Sequence, residues 1–174
     1  MPTIVAYPPF SGYNATGGGG GGTALAAIGQ FSDTADHVLA VGVPLIVPFN
    51  TTDYGLGVSV VAGTRLTVAA AGVYRFDISL QLLNTGGGGA TITFWPNING
   101  VPVPNSASSI EMGNNNNRTL PYVAIVLQLL AGQYVEWAVL STGVNTSVEA
   151  FPAVVGPPAV PAIPSAIAGV FRLA

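Results

Sequence analysis

Between Ala71 and Leu83 hydrophobic and polar residues alternate without a break. Tyr74, Phe76, Ile78, Leu80 and Leu82 fall on one side, and Arg75, Asp77, Ser79 and Gln81 on the other. Successive side chains of a strand point to opposite faces, so a period of two predicts a ribbon with one dry and one wetter face. Ala71-Gly72 supplies the turn that feeds it. This strand is expected to lie centrally in an antiparallel sheet, with Arg75 and Asp77 pairing with each other or with a neighbouring strand. From Thr23 onward the same punctuation recurs: short apolar runs separated by Gly, Pro, Asn and Asp. Strands are predicted near 24–31, 45–49, 57–61, 66–68, 73–83, 90–98, 101–103, 109–112, 119–130, 134–140 and 166–173. Asn99-Gly100 is the strongest hairpin signal, because both residues tolerate positive φ. The one tempting helical run, Leu25-Ala26-Ala27-Ile28, is cut short by Gly29. The pattern is that of an all-β chain.

Some stretches depart from simple alternation. The run Tyr122 to Leu130 is apolar on both sides, with Val123, Ile125, Leu127 and Leu129 facing one way and Ala124, Val126 and Leu130 the other. Such a strand is expected to be covered twice, by the core and by a subunit interface. Four consecutive asparagines, Asn114 to Asn117, predict an exposed loop tip. Residues 141–164 carry Pro152, Pro157, Pro158, Pro161 and Pro164, and proline cannot serve a central strand. The segment is also apolar, with Phe151, Val155 and Val160 among its side chains, so it reads as an extended loop packed against something. Residues 1–22 read as an extended arm. Pro2, Pro8 and Pro9 forbid helix, Tyr7, Phe10 and Tyr13 offer anchors, and Gly17 to Gly22 have no side chains to pack. The division is therefore an arm, 1–22, and one β-domain, 23–174.

Charge changes the picture. Charged residues make up 6% of the 174, against roughly 25% in an ordinary soluble domain. The four basic residues are all arginines, Arg65, Arg75, Arg118 and Arg172, and the net charge is −3. No basic stripe is available for a phosphate backbone, which argues against nucleic acid as a partner. No apolar run reaches the ~20 residues of a membrane-spanning helix, and no membrane partner is expected. The N-terminal residues lack the basic and apolar regions of a signal peptide, so the chain is expected to be made in a host cytoplasm without a cleavable leader. Cysteine is absent, which removes disulfides and thiolate chemistry. So few ionic groups defend solubility weakly, which implies that much of the surface is covered by copies of the chain or by a larger assembly.

Gly72-Val73-Tyr74-Arg75-Phe76 resembles the G-x-Y-x-F element of the globular C1q/tumour necrosis factor-like domains. Leu66 stands where that family has Phe, and Ser165 to Leu173 is similar to its closing strand, a glycine ahead of a final apolar run. Asn99-Gly100-Val101-Pro102-Val103-Pro104 resembles the heads of collagen-like proteins from bacterial spore surfaces, although no Gly-X-Y stalk precedes the domain. The resemblance implies an antiparallel two-sheet jelly-roll sandwich that packs as a homotrimer. Tyr74, Phe76, Tyr122, Leu127, Trp137 and Phe171 are the side chains expected on its core or trimer-forming strands.

Candidate chemistry is sparse. His37 is the sole histidine, beside Asp33 and Asp36, but Ser32-Asp33-Thr34-Ala35-Asp36-His37 matches no metal-ligand spacing and reads as a loop with local hydrogen bonds. A glycosidase needs two facing carboxylates, and the pattern leaves open a pair such as Asp77 and Glu136. Gly17 to Gly22 and Gly86 to Gly89 lack the Lys-Ser/Thr ending of a phosphate loop. Asn-x-Ser/Thr tripeptides such as Asn117-Arg118-Thr119 are expected by chance in so Asn/Thr-rich a chain. Trp95, Trp137 and Tyr134 are of the type that stacks sugars but read as core aromatics. No catalytic residue, metal or cofactor is expected, and the chain reads as a non-enzyme. The expected function is that of a trimeric decoration (cement) protein on the outer capsid surface of a virion. It would bind the major capsid protein through Tyr7, Phe10 and Tyr13 of the arm and Phe151, Val155 and Val160 of the loop. The alternatives are a receptor-binding head of a viral fibre, contacting host-surface glycans through loops such as Asn114–Asn117, and a bacterial surface or spore-coat adhesin.

Overall fold

The computed structural model describes residues 27–174. The arm, and the first residues of the strand expected at 24–31, lie outside them. Every regular element among the described residues is a strand. In chain order these are β1 (Ile28–Asp33), β2 (His37–Leu39), β3 (Leu45–Ile46), β4 (Thr51–Leu56), β5 (Val58–Val61), β6 (Arg65–Val68), β7 (Gly72–Leu80) and β8 (Leu82–Asn84). Then follow β9 (Ala90–Ile98), β10 (Val101–Pro102), β11 (Ser108–Met112), β12 (Asn117–Thr119), β13 (Tyr122–Leu129), β14 (Tyr134–Ser141), β15 (Thr146–Val148) and β16 (Ala166–Arg172).

The strands form two layers. One is a five-stranded sheet, β13-β7-β16-β1-β4, extended at one end by a four-stranded sheet, β12-β8-β15-β2. The other is a seven-stranded sheet with the order β10-β9-β14-β6-β5, in which β11 also pairs with β9 and β3 with β14. All of the ladders are antiparallel, and the first strand lies beside the last. Neighbours remote in sequence, joined by connections that cross between the layers, make this an antiparallel jelly-roll sandwich. Between the sheets lie Tyr74, Phe76, Ile78 and Leu80 of β7, Val135, Trp137 and Val139 of β14, Phe31, Ile92 and Leu66, each at most 1% exposed. The alternation around Tyr74 is thus met as expected. The Tyr74 hydroxyl, which would be costly to bury unpaired, donates to the Ala70 carbonyl at 2.7 Å.

The extended layer explains several differences from the sequence-based strands. The run expected at 73–83 is one ribbon in two pieces. β7 pairs with β16 up to Leu80, and β8 then pairs with β15. Gln81 is the pivot: its N–H donates to the Ser165 carbonyl and its carbonyl accepts the Glu149 N–H, both at 2.8 Å. β15 and β16 therefore fill one slot in the layer, and residues 149–165 are looped out between them. This corrects the reading of 141–164 as loop throughout, because Thr146–Val148 is an interior strand. Proline begins only at 152, so the ladder at 146–148 loses no donor. In the same way, the strand expected at 119–130 breaks at Leu120-Pro121 into β12 and β13. No strand is expected from the sequence at Thr51–Leu56, yet it pairs with β1 through a bulge between Gln30 and Phe31. Asn99-Gly100 closes β9 onto β10 with φ of 51° and 81°, as the hairpin signal required.

Candidate functional site: an outward sheet face and a proline hairpin

Side chains that leave the sandwich from the five-stranded sheet form rows, fixed by strand register. One row runs Leu56, Ile28, Phe171, Arg75, Val126; the next runs Tyr54, Gln30, Gly169, Asp77, Ala124; a third runs Thr51, Ser32, Ile167, Ser79, Tyr122. The face is largely apolar, and much of it is open: Tyr54, Leu56, Tyr122 and Val126 are each more than half exposed. Its centre carries one ion pair, Arg75 Nε to Asp77 Oδ1 at 2.7 Å, and the same guanidinium donates from Nη2 to the Tyr122 hydroxyl at 2.9 Å. Hydrogen bonding to Asp77, then to Tyr122, raises the Arg75 pKa above its ordinary value, so the group stays charged. The residues expected on core or trimer-forming strands separate cleanly. Tyr74, Phe76, Leu127 and Trp137 are buried, whereas Tyr122 and Phe171 belong to the outward face. On β13 the two-sided pattern is real: Leu127 and Leu129 enter the core, while Ala124 and Val126 face out and are exposed among the described residues.

The looped-out segment is a hairpin. Phe151 bridges to Ile163 and Val154 to Val160, the latter pair through reciprocal N–H to carbonyl bonds of 2.9 and 3.1 Å. Beyond them the tip holds Val155, which is 98% exposed, and the cis Pro157-Pro158 bond. Of the candidate docking side chains, Val155 and Val160 stand open and Phe151 is half-buried, with Arg118 stacked on its ring at 4.5 Å. Tyr7, Phe10 and Tyr13 lie outside the described residues.

Both ends of the hairpin are tied to the turn that joins β1 to β2. Asp36 Oδ1 accepts the Ala150 N–H at 2.8 Å, and the Asp33 carbonyl accepts the Ser165 N–H at 2.8 Å. The buried Asp33 carboxylate takes the Ser165 hydroxyl at 2.9 Å and His37 Nε2 at 2.6 Å. The carboxylate therefore sits between Ser165 and the imidazole, and the serine is not bonded to the histidine. A hydroxyl nucleophile needs the imidazole as its base, so this order of groups clamps the hairpin and does not activate a serine. Asp33→Ala is expected to cost about 1–3 kcal/mol and to speed hydrogen exchange at the Val154 and Val160 amides. Unchanged exchange there would show that the clamp does not hold the hairpin.

The remaining candidates for chemistry are separated. Asp77 lies on the outward face with Arg75, whereas Glu136 lies on the other layer, held by Arg65 Nε at 3.2 Å and by the Thr64 hydroxyl at 3.1 Å. They do not face each other across a cleft. His37 opens β2 and is not a loop residue, although its hydrogen bond is local as expected. No group of acidic or histidine side chains among the described residues is arranged to hold a metal ion. Trp137 is buried, and Tyr134 lies beneath Arg65 at 4.7 Å.

The exposed loop tip expected at Asn114–Asn117 is met at Asn114 to Asn116, whereas Asn117 opens β12. The buried Asn84 side chain donates to the carbonyls of Gly88 at 2.9 Å and Gly113 at 2.8 Å, and accepts the Gly86 N–H at 2.9 Å. It thereby fixes two Gly/Asn loops against each other, with Asn115 and Asn116 at φ of 58° and 61°. Nothing in a lone Asn after two leucines marks that role, because its partners are backbone groups up to 29 residues away.

No protein-family model and no curated protein matches the sequence. Among solved structures, the chain is similar to the globular domain of zebrafish complement 1qA protein, with 15% identity and a TM-score of 0.49 over 86% of this chain and 98% of that one.

Proposed function

We propose that the chain is a structural virion protein: a homotrimer that decorates and stabilises the outer surface of a capsid shell. The observation that carries this reading is the outward face of the five-stranded sheet, apolar, patterned by register and uncovered. Exposed apolar area of this kind marks an association surface, and association of identical chains would cover the both-sided apolar strand β13. The hairpin tip and the N-terminal arm then remain to grip the major capsid protein. Three such grips on one particle act at high effective concentration, so weak single contacts suffice. No catalytic arrangement enters the reading, because the function is adhesion.

Deleting residues 2–22 is expected to leave the trimer intact and to abolish binding to purified empty shells, measured by co-sedimentation. A truncated protein that still decorates shells removes the arm from the reading. The Asn84-organised loops favour a second reading, a receptor-binding head whose amide-rich apex contacts host-surface glycans. A glycan array with the purified trimer separates the two, since a decoration protein binds shells and ignores sugars.

A further inference from the structure

Residues 1–26 contain no Asp, Glu, Lys, Arg or His, so every acidic and basic side chain lies among the described residues and can be followed to its partner. Arg65 and Arg75 pair with acids, and Arg172 donates to the Ala71 and Ala174 carbonyls. Arg118 has no carboxylate within 4.0 Å among the described residues and lies over the Phe151 ring. On the acidic side, Asp53 makes no hydrogen bond or ion pair among the described residues, and Asp36 accepts only a backbone N–H. Both line one groove of about 560 Å³, where the hairpin overhangs β1 and β4, with Phe151 and Ile163 as its apolar wall. Ser32, only 7% exposed, opens into the same groove, and its hydroxyl has no partner among the described residues. In a chain this poor in charge, the groove holds two carboxylates with no cation partner among the described residues, beside the Ser32 hydroxyl.

We propose that this groove receives Arg118 of a second copy of the chain. The inference rests on the trimeric reading above and names the contact that would close the ring. A cyclic trimer joins two different patches of the protomer. The groove lies towards the β4 edge of the extended layer. Arg118 projects from β12 on the other side of the hairpin, its guanidinium on the Phe151 ring that also walls the groove, beside the exposed Leu120 and Tyr122. The two patches complement each other: one is concave, acidic and walled by apolar groups, the other basic and flanked by apolar groups. Stacking on Phe151 occupies the face of the guanidinium and leaves its in-plane N–H donors free for a carboxylate fork. Ser32 supplies a further acceptor.

The test is the native mass and dissociation constant of the full chain at low ionic strength, where such pairs are screened least. Arg118→Glu is expected to weaken trimer formation by about tenfold or more, because like charges then meet in the groove. Asp53→Arg is expected to do the same, and the two substitutions combined are expected to restore assembly. Both residues are exposed, so circular dichroism of each variant should match the unaltered chain. A trimer that tolerates Arg118→Glu, or a combined variant no better than either single one, overturns this contact and leaves the trimeric reading standing. An unaltered chain that stays single at every concentration overturns both.

Discussion

Phe76→Ala is expected to lower the stability of the folded chain by about 3–5 kcal/mol, the usual cost of emptying an aromatic site in a core. Phe76 is fully buried, and its strand is hydrogen-bonded on both sides, to β13 and to β16. Neighbours held by two ladders and by the facing sheet cannot collapse into the vacated space, which places the loss towards the upper end. Tyr74→Ala should behave alike, with the Ala70 carbonyl losing its donor as well. Arg75→Ala, on the same strand but facing out, should shift the melting transition far less. A chemical-denaturation series on the variants decides the matter. If Phe76→Ala and Arg75→Ala melt together, the facing of β7 is wrong.

Ala124→Lys is expected to have the largest effect on assembly. Ala124 sits in the middle row of the outward face, opposite Asp77 in register. In the isolated chain a lysine there finds a carboxylate directly across the ladder, an arrangement that stabilises a sheet pair by a few tenths of a kcal/mol. In the proposed trimer the same ammonium must leave water, at several kcal/mol per site, and the penalty recurs at each symmetry-related contact. The trimer should therefore dissociate about a thousandfold more readily, while the chain's own melting temperature stays close to that of the unaltered protein. Sedimentation equilibrium gives the first quantity and calorimetry at low concentration the second. Assembly unaffected by the lysine would place the interface elsewhere on the molecule.

The elements legible in the sequence were those whose information is local. The alternation of 73–83 could be read because one of its faces is dry and the other is not. Asn99-Gly100 could be read because positive φ is written into the residue types. Thr51–Leu56 could not, because its burial pattern is almost wholly exposed and its place is set by pairing with β1. The same holds for Thr146–Val148, whose strand character comes from lying between β8 and β2. Of the candidate site, Phe151, Val155 and Val160 were singled out for being apolar among prolines. That they form a hairpin clamped by Asp33 and Asp36 depended on Gln81, where β7 and β8 exchange partners.

The sequence alone determined the all-β character, the dry side of the central strand, the turn at Asn99-Gly100 and the shortage of charge, each a property of neighbouring residues or of composition. Tertiary structure alone decided the strand order, the rows of the outward face, the splitting of one strand slot into β15 and β16, and the meeting of Asp36, Asp53 and Ser32 in one groove. Backbone hydrogen bonding and register join residues more than a hundred positions apart, as the Ser165 N–H donating to the Asp33 carbonyl shows. Contacts over such separations leave no periodic trace along the chain.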